Sequence, residues 1–126
     1  MIGLWLPVVA WMAAIYYGAG MSQVPGPAAS LSDTFMHMSG YAGLAVLTLR
    51  ATAKGRWAQV TANTIVIAFA IATLHGLSVE WEQMYIPSRM AEWRDVGNDI
   101  LGALIGLVPA WAWATMRPTT RGPHDL

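Results

Sequence analysis

Four long apolar stretches, separated by three short polar connections, dominate the pattern of this 126-residue chain. The stretches run approximately over residues 2–20, 34–49, 59–83 and 94–116, and a polar tail follows over 117–126. None of them alternates apolar and polar residues in the way that a membrane barrel strand does. At about 1.5 Å per residue, a helix of about 20 residues crosses a hydrocarbon core of about 30 Å. The pattern therefore predicts an all-α fold, a four-transmembrane-helix bundle that forms a single integral membrane domain.

The composition narrows the class of protein further. The chain is 56% hydrophobic and 11% charged, whereas a soluble domain carries about 25% charged residues. The formal net charge is zero, so no basic field attracts nucleic acid, and we exclude nucleic acid as a partner. The chain has no cysteine, which excludes disulfides and thiolate metal sites. The first stretch lacks the basic start of a signal peptide and is interpreted as a membrane anchor.

Basic residues predict the orientation of the bundle. Arg50, Lys54 and Arg56 lie in the connection between the second and third stretches, and Arg117 and Arg121 lie in the tail. Four spans put this connection and both termini on one side of the membrane. The positive-inside rule makes that side cytoplasmic. The end of the bundle where the second and fourth helices begin is then expected to face outward.

Polar side chains that are far apart in sequence meet at this outer end. They start the second helix, end the third, lie in the connection after it and start the fourth: Asp33, His37, Tyr41, His75, Glu80, Gln83, Arg89, Asp95 and Asp99. An ionisable group below the membrane surface is costly and is by default a functional hypothesis. That reasoning applies most strongly to Glu80 and Asp99.

Several of these residues also have a purely structural interpretation. Asp33, His37 and Tyr41 are spaced four residues apart and share one helical face. Asp33 could only cap the helix, His37 or His75 could only bond a neighbouring helix, and Tyr41 could only pack at the interface. Arg89 could pair with a carboxylate and close the end of the bundle.

The fourth stretch carries a second pattern. Asp95, Asp99, Gly102 and Gly106 follow one another at steps of four, three and four residues, and so share a face. Two small residues four positions apart let membrane helices approach closely. We therefore expect the face with the two carboxylates to point into the bundle.

Motifs for catalysis and metal binding are missing from the sequence. Two histidines and several carboxylates could bind a divalent metal, but the HExxH motif does not occur. No GxSxG and no P-loop occurs either. We predict no metal and no cofactor, and a non-enzymatic protein is favoured over an enzyme. Proton transfer by a buried carboxylate stays open.

A set of short motifs resembles a known family. The motifs are, in order, Asp33-x3-His37-x3-Tyr41, Glu80-x2-Gln83, Pro87-Ser88-Arg89, Asp95 and Gly102-x3-Gly106. Together they resemble the VanZ-like family of small bacterial membrane proteins, over about residues 30–107. The resemblance implies a multi-pass protein of the bacterial cytoplasmic (inner) membrane with a polar site at the membrane edge. The founding member of the family is associated with low-level resistance to teicoplanin.

Four positions depart from the family pattern. Thr34 stands where the family usually has Lys, Val79 where it often has Asp, and Ser88 where it has Gly. Asp99 stands where the family has Asn. Losing a Lys and gaining an Asp make the site more acidic, so a preference for an anionic ligand does not carry over from the resemblance.

The leading functional hypothesis is a non-enzymatic membrane protein whose polar site binds a lipid headgroup or a cell-envelope precursor. Arg89 would hold a phosphate or a structural carboxylate. The predicted ligand-binding residues are eight: Asp33, His37, Tyr41, Glu80, Gln83, Arg89, Asp95 and Asp99. The alternative is an accessory subunit of a larger membrane protein complex, since seven Trp offer aromatic surface to lipid or to other subunits. A membrane hydrolase or transferase acting on lipid-linked substrates ranks third, because no nucleophile–base pair is visible.

Overall fold

The structure is a computed structural model that describes residues 2–19, 33–85 and 93–117. Its four α-helices are α1 (Ile2–Ala19), α2 (Asp33–Thr52), α3 (Ala62–Gln83) and α4 (Trp93–Met116), with a 3₁₀ turn at Trp57–Gln59. The described ranges contain no strand, so the predicted all-α fold is confirmed. The connection with Pro87, Ser88 and Arg89, the first loop and most of the polar tail lie outside these ranges.

Two helix ends differ from the pattern by three residues. The second helix continues to Thr52 instead of ending at Leu49. The hydroxyl of Thr52 donates back to the carbonyls of Thr48 and Leu49, at 3.0 Å each. The third helix begins at Ala62 instead of residue 59.

Local hydrogen bonds explain that later start of α3. Thr61 accepts from the backbone N–H of Thr64, whose own hydroxyl accepts from the backbone N–H of Thr61. This reciprocal capping box satisfies two backbone donors at the helix start. Before it, Lys54 and Gly55 adopt positive φ values of 56° and 72° and end α2, in the left-handed conformation that commonly terminates a helix.

The central helix of the bundle is α2, which packs against each of the other three. Against α4 the approach is very close. A Cβ added at Gly102 would lie 2.8 Å from the Cα of Met38 and closer still to its carbonyl oxygen, and one at Gly106 would lie 2.7 Å from the carbonyl oxygen of Ala42. The predicted role of the glycine pair in close helix packing is confirmed. The two helices run parallel, since both contacts advance together along the chain.

The first helix packs on the opposite side of α2 and runs antiparallel to it. The indole of Trp11 donates to the carbonyl of Gly40 at 2.8 Å and lies over Gly43, where a Cβ would come within 2.8 Å of the ring. Between the helices, small and aliphatic side chains form the core: Val8, Leu44, Ala45, Ala68, Ala72, Ala103 and Leu107. The ends of α1 and α3 and the starts of α2 and α4 therefore share one end of the bundle, called here the polar end.

Two helices, α3 and α4, are long and apolar enough to cross a membrane by length and composition. Only 28% and 22% of their most apolar 18-residue windows are buried within the bundle. Their outward faces carry large exposed apolar side chains, among them Val66, Leu74, Leu77, Leu101, Ile105, Val108 and Trp113. A monomeric soluble protein rarely exposes a continuous apolar surface of this kind.

Candidate functional site

An imidazole between two carboxylates forms the outer layer of the polar end. His37, in the first turns of α2, donates from Nδ1 to Oδ1 of Asp99 on α4, at 2.6 Å. Its Nε2 lies 3.9 Å from Oδ2 of Asp95, one turn earlier on α4. The side chains of His37, Asp95 and Asp99 are 15%, 9% and 1% exposed. A hydrogen bond to a carboxylate is short and strong, and this one joins α2 to α4 directly.

A tyrosine–histidine pair forms the layer beneath. The hydroxyl of Tyr41 and Nδ1 of His75 are 2.9 Å apart, and both residues are buried. Tyr41 lies one helical turn below His37, and its hydroxyl is close enough to Glu80 and Asp99 to be affected by their charges. The polar side chains of α2 therefore continue into the interior instead of ending at the surface.

One face of α3 completes the cluster. Gly76, Glu80 and Gln83 are all buried there. A Cβ at Gly76 would lie 2.8 Å from Oδ2 of Asp99, so the missing side chain is what lets the Asp99 carboxylate sit against α3. By contrast, Glu82 is exposed on the same helix.

The structure brings together six of the eight residues that the sequence predicts as ligand-binding. They form the polar cluster, which consists of His37, Tyr41, Glu80, Gln83, Asp95 and Asp99. The side chains of the other two predicted residues are not described. Asp33 begins α2, but its side chain is outside the description, and Arg89 is outside the described ranges altogether. Glu82 and Arg94, on α3 and α4, are exposed and are not part of the cluster.

Two participants were not predicted from the sequence. The hydroxyl of Tyr16 on α1 donates to Oγ of Ser78 at 2.8 Å, and Ser78 donates in turn to the carbonyl of His75 at 2.7 Å. The ring of Tyr16 also meets the His75 imidazole edge-on, with centroids 5.2 Å apart. The available signal was a tyrosine near the end of an uncharged apolar stretch, which is equally typical of an interfacial anchor.

The polar cluster is rich in carboxylates and in hydrogen bonds between helices. Among the described residues, no group of three His, Asp or Glu side chains converges on a possible metal position. The two nitrogens of His37 face different carboxylates, so the ring bridges them. Ser39 and Ser78, the serines of the described ranges, donate to backbone carbonyls and not to an imidazole. A cluster rich in carboxylates offers acceptors to a ligand that donates hydrogen bonds.

Comparison with family models, with curated proteins and with solved structures finds no match to this chain. The motif residues are therefore the sole basis for a family assignment.

Proposed function

We propose that this protein is a VanZ-like, multi-pass protein of the bacterial cytoplasmic membrane, and that its polar cluster binds a lipid headgroup or a cell-envelope precursor at the outer membrane edge. The exposed apolar faces of α3 and α4 support the membrane location. Both faces would contact lipid, which removes the cost of exposing them to water.

Four spans follow from adding α1 and α2 to these helices. α1 has 18 residues and α2 has 20, so at about 1.5 Å per residue they are about 27 and 30 Å long, close to the hydrocarbon thickness. α2 is less apolar than the others, but it packs against all three and therefore exposes less surface to lipid. The basic residues beyond its C-terminal end, at the opposite side from the polar end, favour an outward-facing site.

The observation that carries the binding proposal is the burial of charged groups in a mostly apolar chain. Glu80 and Asp99 are 7% and 2% exposed. Burying a carboxylate costs several kcal/mol unless other groups compensate, on the order of the cost of a whole unfolding transition. Chains retain such groups chiefly at functional sites. Their position, about one to two turns below the helix ends, suits a ligand that enters from the membrane edge.

Arg89 gives the site its expected contact to phosphate. In the sequence it stands six residues from Gln83 and six from Asp95, between the ends of α3 and α4. In this proposal the Arg89 guanidinium would hold the phosphate of a headgroup bidentately, while the carboxylates accept from its hydroxyl or ammonium groups.

Native mass spectrometry of protein released gently from its own membrane tests this proposal. The parent should retain a phospholipid or polyprenyl adduct at a stoichiometric level. Retention should fall in Glu80→Gln and in Arg89→Ala. Glu82→Gln is the matched control, because it removes the same charge from an exposed position two residues away. A Glu80→Gln protein that retains ligand like the parent would overturn the role of Glu80.

The accessory-subunit alternative has one observation in its favour. Trp81 and Trp93 are 65% and 84% exposed near the polar end, and large exposed aromatics are also typical of protein interfaces. In the same experiment, this alternative predicts a stable complex with other protein chains and no specific lipid. The polar cluster would then only lock the helices together.

A further inference from the structure

Basic side chains gather at the end of the bundle opposite the polar end. Arg50 lies in the last turn of α2. Lys54 and Arg56 follow in the tight turn that leads to the 3₁₀ turn at Trp57–Gln59. All three cations are exposed, so they are available to a partner outside the bundle.

A fourth cation, Arg117, lies at the same depth. The contacts of Gly102 and Gly106 with α2 join residues that are 64 positions apart in the chain. The last residues of the two helices, Thr52 and Met116, are also 64 positions apart. The parallel helices α2 and α4 therefore end together, and Arg117 lies level with the turn that follows α2. The basic surface is defined here by these four residues: Arg50, Lys54, Arg56 and Arg117.

No carboxylate shares this end within the described ranges. The acidic residues of those ranges begin α2, end α3 and begin α4, all at the polar end: Asp33, Glu80, Glu82, Asp95 and Asp99. The opposite end holds four of the five cations of the same ranges. A positive surface without acidic groups among its cations attracts anions over a Debye length, about 8 Å at physiological ionic strength.

The turn after α2 holds its cations in place. The backbone N–H of Gly55 donates to the carbonyl of Arg50 at 2.8 Å, which folds the turn back onto the helix end. The backbone N–H of Arg56 donates to the carbonyl of Ala53 at 3.0 Å. Ala51 and Ala53 are each 1% exposed, so the turn is anchored in the bundle between its outward cations. A surface that is already ordered loses less entropy when it binds a ligand.

Lys54 adopts a backbone conformation that disfavours its residue type. Its φ is 56°, and among the described residues it is the one non-glycine residue with a positive φ. Gly or Asn adopts this conformation at lower cost. Residues kept in such conformations cluster at functional sites. The lysine in this position therefore indicates that its charge has a use beyond the turn itself.

Two exposed tryptophans mark the depth of the basic surface in the membrane. Trp57 directly follows Arg56, and Trp113 lies one helical turn before Arg117. Their side chains are 44% and 59% exposed. Tryptophan is enriched at the level of the lipid headgroups, so cations beside these rings lie at the level of the lipid phosphates.

We propose that the basic surface binds the phosphodiester of an anionic phospholipid at the cytoplasmic face of the membrane. The guanidinium groups of Arg50 and Arg56 would donate to phosphate oxygens, and Lys54 would add a third positive charge. A zwitterionic phospholipid would gain much less, because its own ammonium group balances its phosphate. This inference rests on the transmembrane placement in the proposed function, and it does not depend on the ligand of the polar cluster.

Native mass spectrometry in nonionic detergent tests the surface, with phosphatidylglycerol as the probe and phosphatidylcholine as its zwitterionic competitor. When both lipids are added in equal amounts, the parent should retain phosphatidylglycerol preferentially. This preference should shrink as the ionic strength is raised.

Two variants connect the preference to the basic surface. Lys54→Asn removes one charge and introduces a residue that tolerates a positive φ, so it should not lower stability. It should lower the preference about fivefold, the factor that corresponds to about 1 kcal/mol per basic residue. The triple variant Arg50→Gln/Lys54→Asn/Arg56→Gln should retain the two lipids almost equally.

Arg94→Gln is the matched control, because it removes an exposed cation at the polar end and should keep the parent's preference. Equal retention of the two lipids by the parent, or a triple variant that prefers phosphatidylglycerol like the parent, would overturn the proposal. If the triple variant fails to fold, Lys54→Asn decides alone, and a preference equal to the parent's contradicts the proposal. The adduct that depends on Glu80 belongs to the other end of the bundle, so the two results succeed or fail independently.

Discussion

Adding a single methyl group at Gly102 should push α2 and α4 apart and break the outer layer of the polar cluster. In Gly102→Ala, the new Cβ would lie 2.8 Å from the Cα of Met38, where ordinary contact begins at 3.4 Å. The opposing atoms are backbone, so no side chain can turn away. The helices must therefore separate by at least about 0.6 Å, the difference between these two distances.

The cost follows from that displacement. Overpacking a tight contact costs about 1–3 kcal/mol. Met38 is the neighbour of His37, and Asp99 lies one turn before Gly102, so the same separation would lengthen the 2.6 Å bond between them to about 3.2 Å, the upper limit for such bonds. A hydrogen bond to a charged group contributes about 1.5–3 kcal/mol, of which part would be lost. We expect a total destabilisation of about 2–4 kcal/mol.

The assay is SDS-induced loss of helicity in mild detergent, followed by circular dichroism. Gly97→Ala is the control, because it makes the same chemical change on the same helix where nothing lies within 4 Å of the added Cβ. Both variants gain the same helix propensity, so the difference between them isolates the packing effect. Equal unfolding midpoints for the two variants would refute the close approach of α2 and α4.

Three further changes have expected outcomes in the same assay. The stability of Asp99→Asn should stay within about 1 kcal/mol of the parent, because an amide oxygen still accepts a hydrogen bond from His37. Asp99→Ala, which has no acceptor, should lose about 1.5–3 kcal/mol of stability. Similar losses in the two variants would contradict the pairing of His37 with Asp99. Tyr41→Phe should cost about 1–3 kcal/mol, since it leaves a buried imidazole nitrogen without its partner; an unchanged midpoint would mean that this bond does not form. Thr61→Ala should cost about 1 kcal/mol of stability, because the helix cap of α3 is lost. Its control is Thr115→Ala, since the Thr115 hydroxyl bonds only a carbonyl of its own helix, and this change should alter stability by less than about 0.5 kcal/mol. Equal effects of the two substitutions would argue against the cap.

The all-α architecture and the inward face of α4 could be predicted from the sequence because both depend on local spacing. Apolar stretches without alternation predict helices, and Gly102-x3-Gly106 predicts the tight contact that the structure has. The helix ends were less predictable. α2 continues three residues past the last apolar residue of its stretch, and the capping box of Thr61 delays the start of α3. Neither end is marked by a change in the apolar pattern.

The membership of the polar cluster could be predicted in large part, but its pairing could not. In a bundle of four helices joined by short connections, the polar residues of three segments reach the same end of the bundle. This follows from the order of the helices and does not depend on which side chains contact each other. Which carboxylate His37 meets depends on the rotation and depth of α4 relative to α2, and that is set by the glycines packed against the α2 backbone. Tyr16 joined the second layer through tertiary packing alone, because nothing in the spacing of α1 distinguishes it from its neighbour Tyr17.

The central claim is that the helices cross the membrane with the polar end outward. Cysteine labelling tests this claim most directly. The chain has no cysteine, so single cysteines can be introduced one at a time. Glu82 lies at the polar end of α3, and Lys54 lies before the opposite end of the same helix. Arg117 follows the C-terminal end of α4. In intact cells, a membrane-impermeant maleimide should label Glu82→Cys at once, and should label Lys54→Cys and Arg117→Cys only after the membrane is permeabilised. Labelling of Glu82→Cys and Lys54→Cys from the same side would contradict the account, because α3 would then not cross the membrane.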